Sequence, residues 1–300
     1  MGHETLPLRG RVAIVTGAGG GLGRAHALYL AKEGARVVVN DLALPAAEQV
    51  ALEIVENGGE ALAIAASVTD ETAVDAMVRD TIDAWGRIDI LVNNAGILRD
   101  KSFAKMSIDD FRLVVDVHLM GAAICCKAVW EVMRAQQYGR IVMTTSSSGL
   151  WGNFGQANYG AAKMALVGLM QTLAIEGEKY GIRVNSLAPT AATQMTQGVL
   201  SEQSLAALDP ACVSPGLLAL VGDPAPTRAI LCAGAGHFAN AEITLSNGAF
   251  IGRDSDAGRR LTAEWASVTE QDGAIVPTYG FMQAEREVAS AANDEVAANL

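Results

Sequence analysis

The chain has 300 residues, 50% apolar and 18% charged, with 31 glycines and only 8 prolines. That composition excludes a disordered, collagenous or disulfide-stapled protein and suffices for one large globular domain. Its 22 Lys and Arg against 33 Asp and Glu give a formal charge of −11, a field that repels nucleic acid and anionic membranes, so neither is an expected partner.

Val12 to Thr16 is a short apolar run closed by glycines, and Leu22 to Glu33 carries helical spacing that stops at Gly34. The chain therefore opens with strand, turn and helix. The unit recurs as strand Arg36 to Asn40, helix Pro45 to Asn57, strand Ala61 to Ala66, helix Asp70 to Trp85 and strand Ile88 to Asn93. A long helical stretch from Ile108 to about Gln136 leads to strand Arg140 to Thr145, helix Tyr159 to Lys179 and strand Arg183 to Leu187. Beyond Pro189 the regularity fades into short helical pieces between Ser201 and Gly234, then a last strand at Ile243 to Ser246. From Arg253 to Leu300 four basic residues stand against nine acidic ones, so residues 251–300 read as an acidic helical extension packed on or beside a main domain of residues 1–250. The six repeated units imply an α/β fold: a doubly wound parallel sheet of Rossmann type, covered on both faces by crossover helices. Ligands of such sheets bind at the carboxyl ends of the strands, so the residues that follow each strand are the ones that carry function.

The first such turn, Thr16-Gly-Ala-Gly-Gly-Gly-Leu-Gly23, misses the G-x-G-x-x-G fingerprint, because Leu22 stands where the third glycine belongs. It fits Thr-Gly-x-x-x-Gly-x-Gly instead. Glycines at these places let backbone N–H groups approach a pyrophosphate and deliver it to the positive end of the next helix. Gly17, Gly21, Leu22 and Gly23 are therefore a candidate dinucleotide site. Asp41 ends the second strand 24 residues after Gly17, where a carboxylate accepts both ribose hydroxyls of NAD and repels a ribose phosphate. No Lys or Arg lies within the loop, so NAD rather than NADP is expected. Without the glycine turn, Asp41 would read as a surface turn acid.

After the fifth strand comes Ser146, thirteen residues later Tyr159, and four after that Lys163 on the same helix face. Hydride transfer at a carbinol requires one proton to move as well. A phenol is a poor base at neutral pH, but an ammonium about 6 Å away favours the phenolate by roughly 2–3 kcal/mol at an effective dielectric of 20. That makes Tyr159 a candidate general base, with Ser146 placed to hydrogen-bond the substrate oxygen.

Thr16-Gly-x-x-x-Gly-x-Gly23, Asn93-Asn-Ala-Gly96, Ser146 and Tyr159-x-x-x-Lys163, in this order, resemble the short-chain dehydrogenase/reductase family from about Leu8 to Ser246. The resemblance implies that Asn94 and Gly96 support the central strand beside the adenosine ribose, that Ser67 and Val68 contact adenine, and that Thr190 to Thr193 form the nicotinamide-side loop. Pro189-Thr190 stands where the family has Pro-Gly. In the family an Asn of the fourth helix lends its backbone carbonyl to a proton-relay water, and here that place is held by His118. It is either a tolerated structural residue or a catalytic imidazole. Ile97-Leu-Arg-Asp100, Val117-His-Leu-x-Gly121, Tyr138-Gly-Arg-Ile141 and Gly152-Asn-Phe-Gly-Gln-Ala-Asn-Tyr159 resemble a narrower group, the dehydrogenase domains of type 2 peroxisomal multifunctional enzymes, which oxidise 3-hydroxyacyl-CoA. Arg99, Lys101 and Lys105 then read either as a solvated basic loop or as a site for CoA phosphates, and Trp151 and Phe154 as candidate substrate contacts.

Cys125, Cys126, Cys212 and Cys232 make no Cys/His metal spacing and read as reduced thiols, with no metal expected. The N-terminus has no signal-peptide pattern and no long apolar stretch is free of polar residues, so a cytoplasmic protein without membrane insertion is expected. The expected function is NAD-dependent interconversion of a secondary alcohol and a ketone by a homodimer or homotetramer, on a 3-hydroxyacyl-CoA or else on a hydroxysteroid or other hydrophobic alcohol. A catalytically silent dinucleotide-binding scaffold is the rival of a different class.

Overall fold

The computed structural model describes residues 6–192 and 207–297. Among them, contacts divide the chain into two compact units, Met1–Ala241 and Glu242–Leu300; the sequence reading sets its boundary at residue 250.

The first unit is built on β1 (Val12–Thr16), α1 (Gly21–Lys32), β2 (Arg36–Asp41), α2 (Leu44–Glu56), β3 (Ala61–Ala65), α3 (Glu71–Trp85) and β4 (Ile90–Asn93). It continues with α4 (Ile108–Val115), a π turn at Asp116–Met120, α5 (Gly121–Gln136), β5 (Gly139–Thr144), α6 (Ser147–Trp151), α7 (Ala157–Gly177) and β6 (Ile182–Thr190). After the undescribed stretch come α8 (Pro215–Val221), β7 (Ile230–Gly234) and β8 (His237–Ala241). The strands form one sheet in the order β3-β2-β1-β4-β5-β6-β7-β8, parallel except for the antiparallel pair β7–β8. The order reverses between β1 and β4, and that switch point is where such a sheet opens a crevice.

Period-two alternation assigns the strand residues to two cores. Ala13, Val15, Val37, Val39, Ile90 and Val142 pack on one face with Leu30, Val50 and Leu217 from α1, α2 and α8. Ile14, Val38, Leu91, Ile141 and Met143 pack on the other with Met77, Met133, Leu166 and Met170 from α3, α5 and α7. Helix ends follow their sequence signals: Asp70 caps α3 by accepting from the Ala73 N–H, Gly86 ends it at φ 74°, and Ser107 caps α4 through the Asp110 N–H.

The span Ile108–Gln136 is long and apolar enough to cross a membrane by length and composition, yet Val129 and Met133 on it belong to the second core. It is not the uninterrupted α-helix its spacing suggests, because the π turn inserts one wide turn at His118. Two expectations fail after β6. Ile230–Gly234 is a strand rather than a helical piece, because Ala235 and Gly236, both at positive φ, turn the chain back as a hairpin into β8. Ile243–Ser246 is not a strand; Leu245 makes only an isolated bridge to Ile275.

The second unit, described by itself, contains α9 (Ala257–Ala263), α10 (Trp265–Thr269) and α11 (Met282–Ala297). Arg260 fixes its loop by donating to the Ile251 carbonyl at 2.7 and 2.9 Å and to Asp254 at 2.8 Å.

Candidate active site

Thr16, at the end of β1, joins the two strands of the switch point. Its hydroxyl donates to the Val92 carbonyl at 3.3 Å and accepts from the Asn94 and Ala95 N–H groups at 3.0 Å. Asn94 returns the link through its side-chain amide, which donates to the carbonyls of Thr16 (2.9 Å) and Gly17 (3.1 Å). This close approach is why glycine is needed: a Cβ on Gly23 would stand 2.2 Å from the Gly17 carbonyl oxygen, and one on Gly17, at φ +62°, 2.8 Å from Ala95 Cα. Gly20 opens onto free space. The first turn of α1 starts there with no side-chain cap, so its leading N–H groups are directed at an anion's place. Those features fit a dinucleotide pyrophosphate.

Asp41 lies at the edge of this loop, and its carboxylate accepts from Gly19 N at 3.0 Å and Ala43 N at 3.2 Å. The acid is thus part of the loop's own scaffold. Arg24, just past the loop, is committed to Glu53 at 2.6 Å. Ser67 and Val68 follow β3; the Ser67 hydroxyl bonds Thr69 at 2.9 Å, and Val68 packs so closely on Gly121 that a Cβ there would come within 2.6 Å.

The end of β5 brings Ser146, Tyr159 and Lys163 together. Lys163 is buried, and its ammonium donates to the Thr144 carbonyl at 2.6 Å while the Thr145 hydroxyl donates to the Lys163 carbonyl at 2.6 Å. Its Nζ lies 5.5 Å from the centre of the Tyr159 ring. Gly149 permits this packing of α6 on α7, since a Cβ would meet Lys163 Cβ at 2.7 Å. The protonation balance departs from the sequence expectation. Burial pushes the Tyr159 phenol above its ordinary value, with the Ser146 hydrogen bond opposing that rise, and burial pushes Lys163 down to about 7. Loss of water is the largest cause at the phenol and the cause at the ammonium.

His118 sits on the π turn, 3% exposed. Its Nε2 lies 2.8 Å from the Ile97 carbonyl and 3.1 Å from the Ile97 N–H. Its ring and that of Tyr159 form a T-shaped pair at an interplanar angle of 89°, with centroids 5.3 Å apart. Gly96 lies directly against it: a Cβ there would come within 2.3 Å of His118 Cε1.

A clamp that the sequence reading does not single out ties the loop after β4 to the segment leading into α7. Asn158 donates to the Arg99 carbonyl at 3.1 Å and accepts from the Tyr159 N–H at 2.7 Å. Gln156 donates to Asp100 at 2.6 Å, and the Lys101 N–H to the Gly155 carbonyl at 2.9 Å. Its residues fall mostly within the Ile97–Asp100 and Gly152–Tyr159 motifs, where the density of amides between Asn153 and Asn158 is the signal. On the clamped loops Trp151, Phe154 and Phe103 are exposed at 68%, 90% and 72%. Arg99 and Lys101 are not isolated cations, since Asp110 stands 4.0 and 3.2 Å from them; Lys105 is exposed. Thr190 ends β6 exposed to solvent, and Thr193 lies outside the described residues.

Comparisons with known proteins match the chain to dehydrogenases. The sequence model described as short chain dehydrogenase matches residues 11–204. A short-chain type dehydrogenase/reductase of Mycobacterium tuberculosis is 43% identical over 276 residues, covering 89% of this chain and 96% of that protein. The peroxisomal multifunctional enzyme type 2 of Mus musculus is 50% identical over 223 residues, 71% of this chain, but the match spans only 30% of that larger protein. Among solved structures, a 7α-hydroxysteroid dehydrogenase complexed with NADH and 7-oxo glycochenodeoxycholic acid is similar at a TM-score of 0.72 and 30% identity, over 79% of this chain and 97% of that one.

Proposed function

Because the chain belongs to the short-chain dehydrogenase family, and is thus an oxidoreductase acting on CH–OH groups, we propose that it interconverts a 3-hydroxyacyl-CoA and the 3-oxoacyl-CoA with NAD, Tyr159 serving as general base. The family uses nicotinamide dinucleotides. The choice of NAD rests on Asp41 beside a loop without a cation. Gly17, Gly21, Leu22 and Gly23 would hold the pyrophosphate, Asp41 the adenosine ribose, Ser67 and Val68 the adenine, and Asn94, Gly96, Lys163 and the Thr190 end of β6 the remainder.

The observation that carries the reaction is the convergence of Ser146, Tyr159 and buried Lys163 past the carboxyl end of β5. When bound, NAD supplies the hydride acceptor. Ser146 hydrogen-bonds the substrate oxygen and sets it against the phenol, and Tyr159 takes the hydroxyl proton as the C–H bond gives up its electron pair. Lys163, fixed by the Thr144 carbonyl, favours the phenolate whenever it carries charge. Substrate choice rests on similarity to the type 2 multifunctional enzyme and on the aromatic side chains of Trp151 and Phe154, which offer apolar surface to an acyl chain. Similarity to a hydroxysteroid dehydrogenase and the same aromatics support a hydrophobic secondary alcohol as the second reading.

The test is NADH absorbance with 3-hydroxyacyl-CoA esters and hydroxysteroids, each with NAD and NADP in parallel. Turnover of the esters, with NAD preferred at least about tenfold in kcat/KM, supports the proposal. Faster turnover of a steroid transfers the activity to the second reading, and dinucleotide binding without turnover of any alcohol makes the chain a scaffold.

A further inference from the structure

Where the π turn passes the end of β4, a small cavity of about 10 Å3 is lined by Thr16, Asn93, Ala95, His118, Gly121 and Leu166 among others. That is about the room needed by one water molecule. Two of its lining residues each carry a buried polar atom with no partner: His118 Nδ1 and Asn93 Oδ1. Their other polar atoms are engaged. His118 Nε2 is held by the Ile97 backbone, and Asn93 Nδ2 donates to the weak acceptors Cys126 Sγ (3.3 Å) and Met143 Sδ (3.5 Å). Buried polar groups left unpaired are costly, and a site with room and polar partners is where proteins keep internal water.

We propose that this cavity binds one structural water that bridges His118 Nδ1 and Asn93 Oδ1, and that the imidazole, held from both ring nitrogens, is a positioning residue for Tyr159 and for the Gly96–Ile97 turn. A water donates two hydrogen bonds and accepts others, so it serves either tautomer of the ring. The geometry transmits the constraint in two directions. The two rings pack in a T-shaped contact, so a rotation of His118 frees the phenol to tilt. Its Cε1 lies where Gly96 leaves no room for a Cβ, so the same rotation presses on the turn beside the glycine loop. Burial, with a smaller push from the Lys163 charge, takes the imidazole down to about 3, so it stays neutral through the working pH range.

The positional role rests on Tyr159 being the base, whereas the water site does not, and the experiment separates them. A crystal structure of the full chain at atomic resolution should show one water within hydrogen-bond distance of both atoms. A dry cavity, or Nδ1 in direct contact with Oδ1, overturns the site. His118→Gln keeps an amide in reach of Ile97 but has nothing at the Nδ1 position, and Ala122→Val fills the cavity while leaving both polar side chains in place. Each should lower kcat about tenfold, with KM for NAD within about threefold of wild type and the pH midpoint of kcat unmoved. Unchanged kcat in Ala122→Val with the water displaced removes the positioning role, and a shifted pH midpoint in His118→Gln makes the imidazole a titrating participant instead. If Tyr159→Phe stays active while the water is present, the proposed base is wrong and the site stands.

Discussion

At Tyr159 opposing effects meet: burial, and to a smaller extent the Asp100 charge, disfavour the phenolate, and the Ser146 hydroxyl favours it. A base so placed is only useful when the site around it supplies the missing stabilisation at the moment of proton transfer. Removing the phenol oxygen while keeping the ring therefore isolates the proton-transfer role. Tyr159→Phe should lower kcat by about 10²–10⁴, with NAD affinity within a few-fold of wild type, because backbone and ribose contacts hold the cofactor. Steady-state kinetics alongside NAD titration decides it; retention of a tenth of wild-type kcat would dismiss Tyr159 as the base.

The loop after β4 and the start of α7 act as one element, because Asn158 of α7 and Gln156 just before it bind them together. This brings Arg99 and Lys101 near the site in a protein of net charge −11, but already paired with Asp110. A CoA phosphate would have to compete with that carboxylate for exposed cations, where such pairs are individually weak. The double change Arg99→Glu and Lys101→Glu should raise KM for a CoA ester and leave that for the matching pantetheine ester, which has no phosphates, nearly unchanged. Asp110→Asn should lower KM for the CoA ester by a few-fold, since it frees the cations. Equal effects on both esters would remove this loop from the CoA site.

Across the whole molecule, two histidines link elements and resist protonation. His26 of α1 bonds Ser214, just before α8, at 2.9 Å, and burial holds it down to about 3, as it does His118. Folded values below the unfolded 6.5 mean that unfolding takes up protons. The associated stability is full above pH 6.5 and is lost progressively as pH falls toward 3. At pH 5 the loss is about 2 kcal/mol for each histidine, readable as a lower denaturant midpoint at pH 5 than at pH 7; equal midpoints would refute it. Assembly is the second property at this scale. Leu113, Met120, Met164 and Ile175 lie exposed on α4, the π turn and α7, and such apolar helix faces fit a partner copy. Light scattering at micromolar concentration should report a homodimer or homotetramer, and a monomer would count against it.

How much of this was legible beforehand depends on the range of the interaction involved. The strands through β6, the helices between them, the glycine turn and the Ser146, Tyr159, Lys163 spacing are local patterns: alternation, helical period and residues whose chemistry is set by neighbours a few positions away. The π turn, the hairpin at Ala235-Gly236 and the loss of a strand at Ile243–Ser246 turn on one residue's backbone angles or on which segment reaches the sheet edge first, and hydrophobic periodicity does not report either. Burial and distance are tertiary quantities as well. The sequence by itself determined the alternation of strand and helix through β6, and so which turns follow the carboxyl ends of strands, because alternation and helical period are local patterns. Only the packed structure decided the charges and partners of the side chains there: the raised phenol, the lowered lysine, the neutral His118 on Ile97 and the cations claimed by Asp110. Each depends on how much water the fold removes and which distant group it brings within reach.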